Sequence, residues 1–162
     1  MARKIDTLFQ EYGESHQNLT NKRIHWVCVP IIFWTVTAFL WSIQFPSVRL
    51  EILGTNLNLA IIVLALVILY YARLSISMAI GMLIFGFICL AVCLIVHNFL
   101  LKHKLIPFPL LALILFVVAW IFQLVGHKIE GKKPSFLKDL QFLLIGPAWL
   151  MHFIYRKLGI PY

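Results

Sequence analysis

Two stretches decide this fold: His16 to Pro30, which reads HQNLTNKRIHWVCVP, and Gln123 to Pro134, which reads QLVGHKIEGKKP. Each contains histidine where a polar, basic segment meets a long apolar run. A histidine at such a junction either anchors the chain at a membrane interface or ligates a metal at the mouth of a helix bundle. The choice depends on whether the two stretches lie at the same end of the fold.

The chain around these stretches has the composition of an integral membrane protein. Its 162 residues are 62% apolar, with a mean hydropathy of +0.93, whereas soluble domains are about half apolar. The net charge of +8 comes from Lys and Arg between the apolar runs, as in membrane proteins, and does not indicate nucleic-acid binding. The partner that this composition predicts is the lipid bilayer.

The hydropathy pattern predicts an all-α, polytopic membrane helix bundle in one domain, residues 1–162, with four to five transmembrane helices. Residues 2–13 carry their apolar side chains on one face, which predicts an amphipathic helix lying on the membrane or on the bundle mouth. The predicted spans cover about 21–43, 57–72, 76–96 and 106–126. The last apolar stretch, 140–156, is interrupted by Gly146-Pro147 and is either a full span or a re-entrant segment.

The distribution of positive charge orients the predicted bundle. Most Lys and Arg fall on the cytoplasmic side if the N-terminus is cytoplasmic and four spans follow. The cytoplasmic mouth then receives four candidate ligands: His16, His25, His127 and Glu130. Two other histidines, His97 and His103, fall at the opposite mouth and are excluded from this group.

Residue spacing is compatible with ligation at that mouth. His127 and Glu130 are three residues apart, so they share a helix face if the helix continues through the preceding glycine. His16 and His25 are nine apart, which places them roughly 180° around one straight helix. They converge only if the chain breaks between them, and the polar residues 18–21 predict that break.

His152 lies deeper in the predicted bilayer. A helix disrupted at Pro147 would let it point back towards the same mouth, and an ionisable residue at membrane depth is a functional candidate. A single histidine is more often an interfacial anchor than a ligand. Several histidines and a glutamate at one mouth leave both interpretations open.

Two runs of residues resemble the paired signatures of one membrane family. The first is Tyr12-x3-His16-x4-Asn21-x3-His25-x4-Pro30. The second is Trp120-x2-Gln123-x2-Gly126-His127, followed by Glu130, Pro134, Asp139-Leu140 and Gly146-Pro147. Together they resemble the bacterial branch of the family that includes the yeast 2-hydroxy fatty acid dioxygenase. Cys28 stands where glycine is expected, and the spacing from His127 to Glu130 is one residue shorter than in the eukaryotic branch.

This resemblance implies an iron(II)-dependent dioxygenase that uses O2 to shorten a 2-hydroxy fatty acid by one carbon, in fatty acid α-oxidation. Neutral imidazoles suit Fe(II), and an oxygenase leaves coordination positions open for oxygen and substrate. On this hypothesis the metal ligands are His16, His25 and His127, with His152 as a fourth. Glu130 is a ligand or a partner that orients His127.

The same hypothesis assigns roles to the polar residues beside the histidines. The side chains that attract the substrate carboxylate are Arg23, Lys132 and Lys133. The side chains that hydrogen-bond substrate, oxygen or a ligating histidine are Asn21 and Gln123. The C-terminal residues 159–162 show no eukaryotic retention signal, which favours a bacterial inner membrane over the endoplasmic reticulum, with the N-terminus cytoplasmic.

Two other classes of function remain open. One is another lipid-modifying metalloenzyme, and the other is a non-enzymatic membrane protein, either a small carrier or a lipid-organising scaffold. Lipid desaturases and hydroxylases usually carry histidines in HxxxH and HxxHH clusters, whereas this chain has six histidines and no such cluster. A small carrier would be expected to show internal repeats, and none is visible. A lipid-organising scaffold would tolerate alanine in place of the histidines with no loss beyond stability.

Overall fold

The computed structural model describes residues 3–50, 55–134 and 141–162. Over these residues the chain is an all-α bundle, as predicted, with one short β-hairpin. The elements are α1 (Lys4–Gly13), α2 (Leu19–Trp41), β1 (Gln44–Leu50), β2 (Thr55–Asn58), α3 (Leu59–Leu74), α4 (Ile76–Lys102), α5 (Phe108–Glu130) and α6 (Phe142–Leu158). Residue 2 of the predicted amphipathic helix, the Asp139-Leu140 motif and the first residue of the stretch 140–156 lie outside the described residues.

Three helices of the described chain, α2, α4 and α5, are long and apolar enough to cross a bilayer, which makes this a membrane protein. The helix α3 is equally apolar but has 16 residues, fewer than the ~20 of a typical span. The outward faces of these helices expose Leu, Ile, Val and Phe side chains, as expected for surfaces that contact lipid rather than water.

Local capping determines where the histidine-bearing helices begin and end. The side-chain oxygen of Asn18 accepts a hydrogen bond from the backbone N–H of Thr20 at 2.8 Å, so α2 starts one residue after this cap. His16 therefore lies outside the helix that carries His25. At the other stretch, α5 continues past His127 and ends before Gly131, whose φ of 72° is left-handed.

The segment predicted as a loop between the first two spans contains the hairpin of β1 and β2. The strands are antiparallel, with Gln44 opposite Asn58 and Phe45 opposite Leu57. Hydropathy marks such a segment only as a break between spans, because a short hairpin has no apolar run of its own. The helix α4 also continues to Lys102, through residues predicted as loop.

The helix α6 lies across the histidine end of the bundle. The hydroxyl of Tyr71, in the last turn of α3, donates to the backbone carbonyl of Leu144. The hydroxyl of Tyr155 donates to the carbonyl of Ser77, in the first turn of α4, at 2.7 Å. Both ends of α6 are therefore held near the junction of α3 and α4, and α1 packs on its outer side.

Two apolar clusters stabilise opposite ends of the bundle. The mouth cluster, at the histidine end, contains Ile5, Phe9, Tyr12, Tyr71, Met82, Ile145 and Trp149. The floor cluster, at the hairpin end, contains Ala38, Trp41, Ala60, Cys93, Leu100, Phe108 and Ala112. The space between them is bounded by α2 and α5, the most extensively packed helix pair.

Candidate metal centre

Three histidines from separate parts of the chain meet at one point. His16 follows α1, His25 lies in the second turn of α2, and His127 lies in the last turn of α5. One nitrogen from each ring lies within 4.8 Å of the corresponding nitrogen of the others. The three side chains are 1%, 1% and 6% exposed, so this is an interior cluster and not a set of interfacial anchors.

Backbone carbonyl groups orient two of the rings. Nδ1 of His16 is 2.7 Å from the carbonyl oxygen of Tyr12, and Nδ1 of His25 is 2.9 Å from that of Asn21. A carbonyl only accepts, so both Nδ1 atoms carry the proton and both Nε2 atoms present a lone pair. Within the described part of the chain, Nε2 of His16 is buried and has no hydrogen-bond partner.

The third ring has a similar free nitrogen. Nδ1 of His127 is buried and, among the described residues, has no hydrogen-bond partner. Buried nitrogens without partners are costly, and two of the three rings that meet here, those of His16 and His127, carry one. A ligand shared by the three rings would satisfy them. The donor set of imidazole nitrogens is one that transition metals prefer.

Two aromatic rings also pack against His16. The ring of Tyr12 stacks on it with centroids 4.2 Å apart, and the indole of Trp149 lies 5.3 Å away. Burial, and next the neighbouring His25, lower the pKa of His16 to about 3, so the ring is neutral near pH 7. Tyr12 belongs to the first signature, four residues before His16, whereas no pattern in the sequence predicted the contact with Trp149.

Glu130 does not contact a histidine in the way that ligation requires. Its carboxylate accepts hydrogen bonds from the backbone N–H groups of Gln17 and Asn18, both at 2.8 Å, and from the side-chain amide of Asn21 at 3.1 Å. The glutamate thereby fastens the segment that carries His16 to the end of α5. Among the described residues, Glu130 does not belong to the histidine cluster.

Asn21 connects all three histidine-bearing segments. Its side chain is fully buried and donates both to the backbone carbonyl of Ser15 and to Glu130. Its backbone carbonyl orients His25. The helices α2 and α5 approach closely here, because a Cβ atom built on Gly126 would lie only 2.4 Å from the Asn21 side-chain oxygen.

The structure does not bring His152 to the other three histidines. Its ring lies 5.2 Å from that of Phe9, and its Nδ1 is hydrogen-bonded to the hydroxyl of Tyr162. On α6, the residue that faces the cluster is Trp149, one turn earlier. One face of α6 is turned towards the three histidines, and His152 lies on a different face of this helix.

The remaining predicted site residues separate into one at the cluster and three outside it. Gln123 is buried one turn before His127 and lines a cavity that the three histidines also line. Arg23, Lys132 and Lys133 are exposed, and none is among the described residues that line the cavity. The ammonium group of Lys132 donates to the carbonyl of Glu14 at 2.8 Å, which holds this cation beside the segment leading to His16.

The three histidines form the head of a cavity of about 320 Å³. Most of its other lining residues are apolar and come from α2, α3, α5 and α6. The centre therefore joins two chemically different spaces, a polar mouth with exposed cations and an apolar interior within the bundle.

Replacing Glu130 with glutamine tests the positioning role of its carboxylate. Three N–H groups, from Gln17, Asn18 and Asn21, share two carboxylate oxygens, whereas an amide offers one oxygen and no charge. We expect the affinity for metal to fall about 10- to 100-fold, as measured by metal titration of purified protein. Glu11→Gln, on the exposed face of α1, is the matched control, and equal affinities for the two variants would contradict the assignment.

Comparison with known proteins identifies relatives over nearly the whole chain. The sequence profile of the family described as 2-hydroxy-palmitic acid dioxygenase Mpo1-like matches residues 2–158. The curated 2-hydroxy-palmitic acid dioxygenase MPO1 of Saccharomyces cerevisiae is 25% identical over 150 residues, which are 91% of this chain and 78% of the yeast protein. No solved structure matches the chain.

Proposed function

Because the chain belongs to the 2-hydroxy-palmitic acid dioxygenase Mpo1-like family, we propose that it is a membrane dioxygenase acting on 2-hydroxy fatty acids. It shortens the acid by one carbon with O2 and holds Fe(II) between His16, His25 and His127. The observation that carries this proposal is the meeting of three buried imidazoles at the head of an apolar cavity.

The donor set fits a metal of this kind. The nitrogens lie within 4.8 Å of one another. Three nitrogens that share one ion at about 2.1 Å lie closer together than this limit, so the rings would turn towards one another on binding. No carboxylate belongs to the cluster in the described chain, so the ligand set that we propose contains imidazoles alone. Three ligands leave further coordination positions for oxygen and substrate.

Iron(II), when bound, would supply the centre at which O2 is activated and the 2-hydroxy carboxylate is chelated. The protein residues bind and orient the substrate. The exposed cations Arg23, Lys132 and Lys133 attract the carboxylate towards the mouth. The side-chain amide of Gln123 lies one turn from His127 and offers hydrogen bonds to the hydroxyl or carboxylate group. The apolar walls receive the alkyl chain and exclude water from the head of the cavity.

The charge distribution supports a cytoplasmic position for the histidine end. The basic residues at this end include Lys22, Arg23, Lys128, Lys132 and Lys133. The hairpin end carries fewer basic residues: Arg49, Lys102 and Lys104. This excess of positive charge is typical of the cytoplasmic side, and we propose a bacterial inner membrane as the location.

A direct assay tests the proposed reaction. Purified protein is loaded with iron(II) under anaerobic conditions and then given 2-hydroxypalmitic acid and O2. We expect a product one carbon shorter, because the 2-hydroxy carboxylate is the group that meets the metal, and no product from unsubstituted palmitic acid. Absence of the shortened acid from iron-loaded protein would overturn the substrate assignment.

A further inference from the structure

The cavity below the three histidines follows one face of each of two helices. On α2 this face carries Val29 and Phe33, at intervals of four residues after His25. On α5 it carries Trp120, seven residues before His127. These intervals place successive side chains in a line along each helix, so the cavity runs along the seam between α2 and α5.

The cavity ends against the floor cluster. Its lining residues farthest from the histidines are Leu40 on α2 and Phe116 on α5. The ring of Phe116 lies 6.1 Å from that of Phe39, which places both helices at the same depth. The floor cluster contains Trp41, the residue after Leu40, and Ala112, one turn from Phe116 on α5, and it closes the bundle below this level.

The length of the cavity follows from helix geometry. Leu40 is fifteen residues from His25 and Phe116 is eleven residues from His127, so a rise of about 1.5 Å per residue gives roughly 16 to 22 Å. An extended acyl chain of roughly 13 to 18 carbons has that length. The cavity is therefore long enough for a whole fatty acyl chain and bounded at the far end.

Beyond Trp120 and Gln123, which lie nearer the histidines, the described walls of the cavity consist almost entirely of apolar side chains. The one hydroxyl deep in the cavity, that of Thr37, already donates to the carbonyl oxygen of Phe33 at 2.9 Å. No charged side chain is among the described residues lining the cavity. A polar group on the occupant would lose its hydrogen bonds to water without replacement, so the walls select an unsubstituted alkyl chain.

We propose that this cavity measures the acyl chain of the substrate, and that Leu40 and Phe116 set the longest chain that fits. The inference rests on the proposed function, since it places the carboxylate and hydroxyl groups at the histidines. A chain too long for the cavity must bend or leave its head group short of the metal centre. Each misplaced methylene in an apolar pocket changes selectivity by about tenfold or more.

Two variants with opposite expected effects test this proposal. Phe116→Ala removes the ring at the far end of the cavity. The ratio of two turnover rates, that of the longest 2-hydroxy acids divided by that of the shorter ones, should rise at least about tenfold. Thr37→Phe fills the same depth from α2 and should lower that ratio. The matched control is Phe122→Ala, in which an exposed phenylalanine of α5 is removed; its ratio should equal that of the unmodified protein.

The measurement is a competition among 2-hydroxy acids of about 12 to 22 carbons, followed by analysis of the products. A second measurement needs neither iron nor turnover: the increase in Tm of the metal-free protein caused by unsubstituted fatty acids of the same lengths. If the unmodified protein forms no product but the two variants shift the length dependence of Tm, the proposed reaction is wrong and the acyl-chain site stands. If neither measurement changes with Phe116→Ala or Thr37→Phe, the proposed length limit is wrong.

Discussion

Alanine at position 25 is expected to remove bound iron from the purified protein and to abolish turnover. The imidazole of His25 is fully buried, is oriented by the carbonyl of Asn21, and supplies one of three converging nitrogens. Two remaining imidazoles cannot replace this ligand, and the described cluster contains no carboxylate that would substitute. We expect the iron content to fall from about one ion per chain to less than about a tenth, as measured by elemental analysis after anaerobic loading.

The matched control is alanine at position 97. His97 lies towards the opposite end of the bundle, with its ring 4.8 Å from that of Trp41, and it does not belong to the cluster. Its replacement should leave the iron content unchanged. If His25→Ala retains as much iron as His97→Ala, the three histidines are packing residues and the metal centre does not exist.

A single methyl group at position 126 is expected to damage the same centre without removing any ligand. A Cβ on Gly126 would lie 2.4 Å from the side-chain oxygen of Asn21, a distance at which one of the two helices must move. Asn21 cannot rotate away freely, since its amide is held by Ser15 and Glu130. Displacing it also moves the carbonyl that orients His25.

For Gly126→Ala we expect a loss of stability of about 1–3 kcal/mol, typical of overpacking, and weaker metal binding. The measurements are Tm in detergent with and without iron, and metal titration. Alanine has a higher helix propensity than glycine, and this difference offsets part of the loss of stability.

Gly86→Ala is the matched control for this substitution. Gly86 is also within a helix, but its Cβ would meet Leu64 at an ordinary 3.6 Å. This variant should be as stable as the original protein or more so, because alanine favours the helix. Equal metal affinity in Gly126→Ala and Gly86→Ala would show that the contact with Asn21 has no influence on the centre.

The helical architecture could be predicted because it depends on the hydropathy and charge of residues that are close together in the sequence. Long apolar runs predicted the bundle. The polar residues 18–21 predicted a break between His16 and His25, and the structure has α2 begin at Leu19, after the cap at Asn18. Positive charge at both histidine stretches predicted that they lie at the same end. Each of these signals is contained in a window of a few residues.

The role of Glu130 could not be predicted in the same way. Its three-residue spacing from His127 indicated a ligand or an orienting partner, whereas its carboxylate contacts Gln17, Asn18 and Asn21. Those partners are more than a hundred positions away in the chain. No periodicity links them, and the contact exists only because α2 and α5 pack closely at Gly126.

The course of the last helix depended likewise on packing. The interruption at Gly146-Pro147 left open whether the stretch 140–156 crosses the membrane, and His152 was a candidate ligand in one of those geometries. Hydrogen bonds from Tyr71 and Tyr155 hold α6 across the mouth, so Trp149 and not His152 faces the cluster.

Local residue patterns were thus sufficient for the helical class of the fold and for the end of the bundle at which the histidines gather. Which histidines converge, which carboxylate joins their segments and where the cavity ends were set by contacts between α2, α5 and α6. Secondary structure and membrane insertion follow free energies that add up along consecutive residues. The histidine cluster depends on side chains distant in sequence that come together only when the helices pack.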